Sequence, residues 1–105
     1  MKNKKVKVEE IEFEIIKNER DGFNEQEFID RYTSYFNDFD YVVGDYAYGK
    51  LRLKGFYQDN NEKVSEINNI KNVDKYIKEN CAFGCKYYIA KKIILWYNFF
   101  IVNEV

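Results

Sequence analysis

Strict alternation of apolar and charged residues is the feature that most limits how this chain can fold. Val6 and Val8 alternate with lysines. Ile11, Phe13 and Ile15 alternate with glutamates, and Leu51 and Leu53 alternate with Lys50, Arg52 and Lys54. Successive side chains of a strand leave opposite faces of a sheet, so each run describes a half-buried strand. The phase changes at Glu9-Glu10, which places a hairpin turn there despite poor turn chemistry. With 105 residues the chain builds one modest core and one domain, with residues 93–105 as an apolar C-terminal extension.

Helical spacing interrupts the alternation twice. Asn24 is placed to cap a helix with Glu27 in the reciprocal position, and Phe28, Tyr32, Tyr35/Phe36 and Phe39 follow at helical intervals. This predicts a helix over about 25–37 with an acidic outer face. Residues 41–48 and 50–57, parted near Gly49, read as neighbouring strands, and 63–67 as a further short one. Asn72 opens a second helix with Val73, Tyr76 and Ile77 on one face. It ends near Cys81–Gly84, where Gly84 suits the left-handed position that closes a helix. Residues 86–94 then read as a strand. Hairpins clustered around two helices predict an α+β domain with a largely antiparallel sheet.

Composition narrows the function. There is no histidine, which removes Ser-His-Asp and Cys-His nucleophiles, His-ligated zinc and histidine proton shuttles. Lys, Asn, Ile, Tyr and Phe supply 56 residues and proline is absent, the codon signature of an AT-rich bacterial genome. Part of the aromatic excess therefore reflects mutational bias rather than a stacking surface. No signal peptide is visible. The most apolar run, 93–102, is too short to span a bilayer, which takes roughly 20 residues. With two cysteines and no visible signal, the chain reads as a cytoplasmic protein from a reducing compartment. Net charge is −1, so no global attraction to nucleic acid or membrane is expected. No cofactor motif, nucleotide loop or metal-ligand spacing is present.

Two long motifs carry a resemblance. The stretch 40–57, DYVVGDYAYGKLRLKGFY, and the stretch 81–88, CAFGCKYY, resemble the signature of the YutD-like family of small proteins from low-GC bacteria. Gly22-Phe23-Asn24, Phe28 and Arg31-Tyr32 match as well. The resemblance runs from Val6 to Lys92 and implies an α+β domain in a bacterial cytoplasm, with no established activity. Lys50, where the family pattern has an uncharged polar residue, and the run 93–102 depart from it.

Several constellations could carry chemistry. Lys50, Arg52 and Lys54 on one strand face, with Tyr46 and Tyr48 on the neighbouring strand, could grip single-stranded RNA or DNA through phosphate charge and base stacking. Asp40, Asp45 and Arg52 could form an acid/base or phosphate site, or an ion pair that fixes strand register. Gly44-Asp45 and Gly49 suggest a bulge that re-aims Asp45, a bend that wraps the sheet, or a close approach of the backbone. Cys81 and Cys85, four apart on one helix face with Cα atoms about 6 Å apart, could be a redox pair or two small buried hydrophobes. Trp96, Tyr97, Phe99 and Phe100 in the C-terminal run could form a sticky surface for a partner. The leading reading is a non-enzymatic module that binds a protein partner through the 46–54 hairpin and the aromatic tail. A nucleic-acid-binding module is the alternative, and a small redox protein or enzyme using Asp45, Arg52, Cys81 and Cys85 is the third. No catalytic residue, metal ligand, cofactor or membrane contact is assigned.

Overall fold

The computed structural model describes residues 3–81 and 84–93. Five strands form one sheet: β1 Lys5–Val8, β2 Ile11–Glu19, β3 Tyr41–Ala47, β4 Lys50–Phe56 and β5 Tyr87–Ile93. All pairings are antiparallel, in the spatial order β1-β2-β5-β3-β4. The last strand is thus inserted between β2 and β3, and it joins the two hairpins into one sheet. Two helices, α1 Glu25–Arg31 and α2 Val73–Asn80, complete the α+β architecture.

The two helices pack on opposite faces. On the α1 face, Val6, Val8, Phe13, Ile15, Val42, Leu51, Tyr88 and Ala90 meet Phe23, Phe28, Phe36 and Phe39 in the main core. Aromatic rings run through it as edge-on and tilted neighbours, with Phe23 and Tyr88 centroids 5.0 Å apart and Phe13 and Phe28 5.7 Å apart. On the other face Val43, Phe56 and Ile89 form a smaller core under Val73, Tyr76 and Ile77 of α2. The Val73, Tyr76, Ile77 face expected from spacing is the face that packs.

Register follows from the turns. Glu9 takes a left-handed φ of 56°, and Val8 pairs with Ile11, so the β1–β2 turn lies at Glu9-Glu10 as the phase change predicts. Tyr48 and Gly49 both have positive φ between the paired residues Ala47 and Lys50, the geometry of a tight type I′ hairpin. Gly84 also takes the positive φ expected of it, 75°.

Four expectations are corrected. The helix over 25–37 is divided: α1 stops at Arg31, Tyr32 and Thr33 are extended, and Ser34–Asp38 form a 3-10 turn. β-branched Thr33 is a weak helix former and takes extended backbone, and the aromatic spacing is kept because Tyr32, Phe36 and Phe39 still stack in series. Residues 63–67 make no strand. An Asn61 side chain binds the Lys63 amide, and a Ser65/Asn68 capping box winds Glu66–Asn68 into another 3-10 turn. Asn72 occupies the N-cap of α2, but its side chain donates to the Glu66 carbonyl instead of capping the helix. β3 carries no bulge at Gly44-Asp45, since it pairs residue for residue with both neighbours. The irregularity lies in β2, between Ile15 and Lys17.

Gly44 has a packing role instead. The Tyr88 ring lies over its backbone, and a Cβ there would overlap the ring. Gly55 is covered by Phe39 in the same way. Gly44→Ala is expected to cost about 1–3 kcal/mol through overpacking of a fully buried tyrosine, read as a lower urea midpoint at unchanged m-value. An unchanged midpoint would contradict this packing.

Candidate functional site

Strand parity disperses the basic-aromatic hairpin. Tyr46 pairs with Leu51, and Asp45 pairs with Arg52. Tyr46 therefore lies on the α1 face with Leu51, whereas Lys50, Arg52 and Lys54 lie on the α2 face. Tyr46 donates to the Glu27 carboxylate, and its hydroxyl is also 3.0 Å from the Gly22 carbonyl oxygen. Burial and this bond push its pKa up to about 12. Tyr48 is fully exposed at the hairpin tip. The expected stacking of Tyr46 and Tyr48 beside three free cations is not what the fold makes.

Two of the three cations are also engaged. Asp45 is 1% exposed, and Arg52 meets it with both arms of its guanidinium, at 3.2 and 2.8 Å. A second bond from Arg52 Nη2 reaches the Asn80 carbonyl at the end of α2, 3.0 Å away. The hydrogen bond to Asp45 raises the Arg52 pKa further. Lys54 stands over the rings of Phe56 and Tyr76, at 5.0 and 5.6 Å, and burial lowers its pKa. Lys50 is exposed. Asp40 lies elsewhere, where it accepts from the Gln58 amide and the Asn61 side chain. Asp45 and Arg52 thus form the register-fixing ion pair of the two alternatives, joined to α2 and separate from Asp40.

Cys81 and Cys85 do not share a helix face. α2 ends at Asn80, Cys81 is its extended C-cap, and Gly84 turns the chain back toward β5. Their side chains nevertheless meet as a pair, with Cα atoms 5.9 Å apart and both residues half-buried. The C-terminal residues from 94 onward, including Trp96, Tyr97, Phe99 and Phe100, lie outside the described residues. Among the described residues no group of His, Cys, Asp and Glu side chains is placed to hold a metal ion. No helix among them is long and apolar enough to cross a membrane.

Sequence reasoning passed over the outer edge of β4. Tyr57 exchanges backbone hydrogen bonds with Asn68 and Ile70 on the side away from β3, at 2.7 and 2.9 Å. By alternation the backbone groups of Leu53 and Leu51 face the same way, and among the described residues no strand pairs with them. Beside this edge lies a groove of about 250 Å³, lined by Tyr35, Phe39, Leu53, Gly55 and Ile67 among others. Tyr35 is 69% exposed and Ile67 77% exposed. A second cleft of about 310 Å³ adjoins it across Lys54 and Ile67. Nothing in the sequence signals it, since Tyr35 falls within the helical aromatic spacing and Ile67 within the expected strand 63–67.

These observations define a small α+β domain with both sheet faces partly covered, a buried ion pair within it and one open, apolar-flanked edge. Comparison with known proteins gives the family. Residues 7–91 match the YutD-like family model, described as "Putative antitoxin YutD-like". A Bacillus subtilis (strain 168) protein named "Putative antitoxin YutD" is 48% identical over 86 residues, which are 82% of this chain and 94% of that one. The solution NMR structure of protein yutD from B. subtilis superposes with a TM-score of 0.74 at 44% identity, over 89% of this chain and 84% of that one. The chain belongs to the YutD-like family.

Asp45→Asn is expected to cost about 1–2 kcal/mol, because the Arg52 side chain it leaves unpaired is 44% exposed and regains water. Arg52→Gln strands the buried carboxylate and should cost about 3 kcal/mol or more; equal losses in urea unfolding would contradict this asymmetry. Tyr88 gives the opposite expectation. Its hydroxyl is buried and has no hydrogen-bond partner among the described residues, so Tyr88→Phe should stabilise the fold by about 1 kcal/mol. Burial raises the Tyr88 pKa above its ordinary 10.0. Its neutral form contributes stability that is fully present below pH 10 and is lost as pH rises above it. Alkaline unfolding should accordingly be shallower in Tyr88→Phe than in the native chain.

Proposed function

We propose that this protein works by binding another protein, as an antitoxin binds its toxin, through the open edge of β4 and the apolar groove beside it. The observation that carries the reading is the backbone at Leu51 and Leu53, which no strand among the described residues pairs, next to the exposed side chains of Tyr35 and Ile67. An extended segment of a partner would add a strand there. Main-chain bonds would supply affinity, and alternate side chains would enter the groove or face Lys50 and Lys54. Charge argues for a partner strand bearing carboxylates. Two copies of β4 paired antiparallel would set Lys50, Arg52 and Lys54 against one another, and like charges across a ladder repel. The family description and the name of the B. subtilis relative support a protein partner of the toxin kind.

The nucleic-acid reading has less support, because Arg52 is committed to Asp45, Lys54 is covered by rings, and Tyr46 faces the other way.

The test is genetic and biochemical together. Depletion of the protein in its own cells should arrest growth, and suppressors should fall in one gene whose product binds the purified chain at fixed stoichiometry. Tyr35→Ser/Ile67→Asp should weaken that binding at least tenfold while the chain stays cooperatively folded, its thermal midpoint lowered by no more than about 10 °C, since both side chains are exposed and Tyr35 stacks on Phe36 and Phe39 only from outside. Suppressors scattered over unrelated genes, or full binding by the double variant, would overturn the reading. So would binding of RNA with an affinity that falls steeply with salt.

A further inference from the structure

We propose that Cys81 and Cys85 form a reversible disulfide, opened and closed by exchange with an anionic low-molecular-weight thiol admitted by the cationic cleft beside them. The proposal stands apart from the binding edge of β4. The two sulfurs are the only ones of cysteine in the chain, and the Cα atoms of Cys81 and Cys85 lie 5.9 Å apart, inside the range a disulfide spans. Both residues are half-buried rather than enclosed, so a small thiol can reach them.

The surroundings are built for negative charge. A cleft of about 450 Å³ opens on the pair, and its charged walls among the described residues are Lys17, Arg20, Lys78 and Glu19. Arg20 and Asp21 both take left-handed φ values, 56° and 53°, a conformation ordinary residues avoid. That turn carries the Arg20 guanidinium to within 3.5 Å of where a Gly84 Cβ would stand, directly beside the cysteine turn. Lys17 is held over the Tyr87 ring at 5.4 Å. Three cations lining the same cleft as the two cysteines favour the thiolate that attacks or leaves during exchange, and they draw in a carboxylate-bearing thiol.

The exchange balances in two steps. The thiolate of the small thiol attacks one cysteine sulfur, forms a mixed disulfide and expels the other cysteine as a thiolate. A second small thiol then attacks the mixed disulfide, leaves both cysteines reduced and departs as the small-molecule disulfide. The reverse sequence closes the pair. The closed form ties the end of α2 to the start of β5, next to the Arg52–Asn80 bond. Opening it leaves the short helix held by that bond and by the small core beneath it.

The native chain would be equilibrated in reduced and oxidised glutathione mixtures and its free thiols trapped with a maleimide polymer for gel analysis. Both thiols should convert together across the mixtures. Arg20→Gln/Lys78→Gln, two exposed changes, should slow exchange with glutathione about threefold or more while leaving the rate with uncharged dithiothreitol unchanged. Backbone hydrogen exchange over Val73–Asn80 should quicken at least threefold on reduction, and Cys81→Ser/Cys85→Ser should show the fast pattern in either buffer. Thiols that stay trapped, or stay hidden, in every mixture would overturn the proposal. Equal slowing with both reagents would remove the role of the cleft, and unchanged α2 exchange would remove the tie to the helix.

Discussion

A carboxylate at Asp45 cannot be buried beneath α2 unless something neutralises it, and this need organises one side of the molecule. Arg52 stands directly opposite on β4, so the ion pair forms only in the observed register. A slip of one residue would send Arg52 to the other face and leave Asp45 buried and unpaired. The same guanidinium then binds the Asn80 carbonyl, so one side chain fixes β3, β4 and the end of α2. Arg52, which the sequence offers as a free surface charge, is in this way taken up by the fold.

The other face is set by size instead of charge. Tyr88 is fully buried at the centre of the sheet because β5 lies between the two hairpins. Its ring needs the space above Gly44, and Phe39 needs the space above Gly55. Two glycines in β-rich runs therefore serve close ring–backbone approach in regular strands. The unpartnered Tyr88 hydroxyl shows that packing the large ring outweighs satisfying its polar tip.

Much of the architecture was legible because strand alternation and helical spacing are local properties. The β1–β2 turn, strands β3 to β5, both helix starts and the apolar face of α2 could all be read from neighbouring residues. The insertion of β5 between β2 and β3 could not, since it depends on which long-range pairing buries most surface. The site was misread for a narrower reason. Once Tyr48-Gly49 is taken as a two-residue turn, Tyr46 must lie opposite Leu51 and so leave the face of Lys50, Arg52 and Lys54. The information was present in the parity of the hairpin, but fixing it required the turn. The shortening of α1 was hidden because the 3-10 turn keeps the aromatic rings at nearly helical spacing. The open edge of β4 was hidden because Tyr35 and Ile67 become conspicuous only when the strands between them are placed.

α2 is where these threads meet. It has eight residues, and none of its side chains is fully buried. A helix this short is not stable alone and depends on its attachments. They are the small core of Val43, Phe56 and Ile89, the Arg52–Asn80 bond, and the cysteine turn that leads into β5. Elements with few buried contacts open at lower free energy than the rest of a fold. Tyr76 and Asn80 of this helix also line the cleft that adjoins the β4 edge across Lys54 and Ile67. A change in the attachment of α2 is therefore felt beside the open edge, whereas the main core under α1 shares none of the three attachments and would hold β1, β2 and β5 in place throughout.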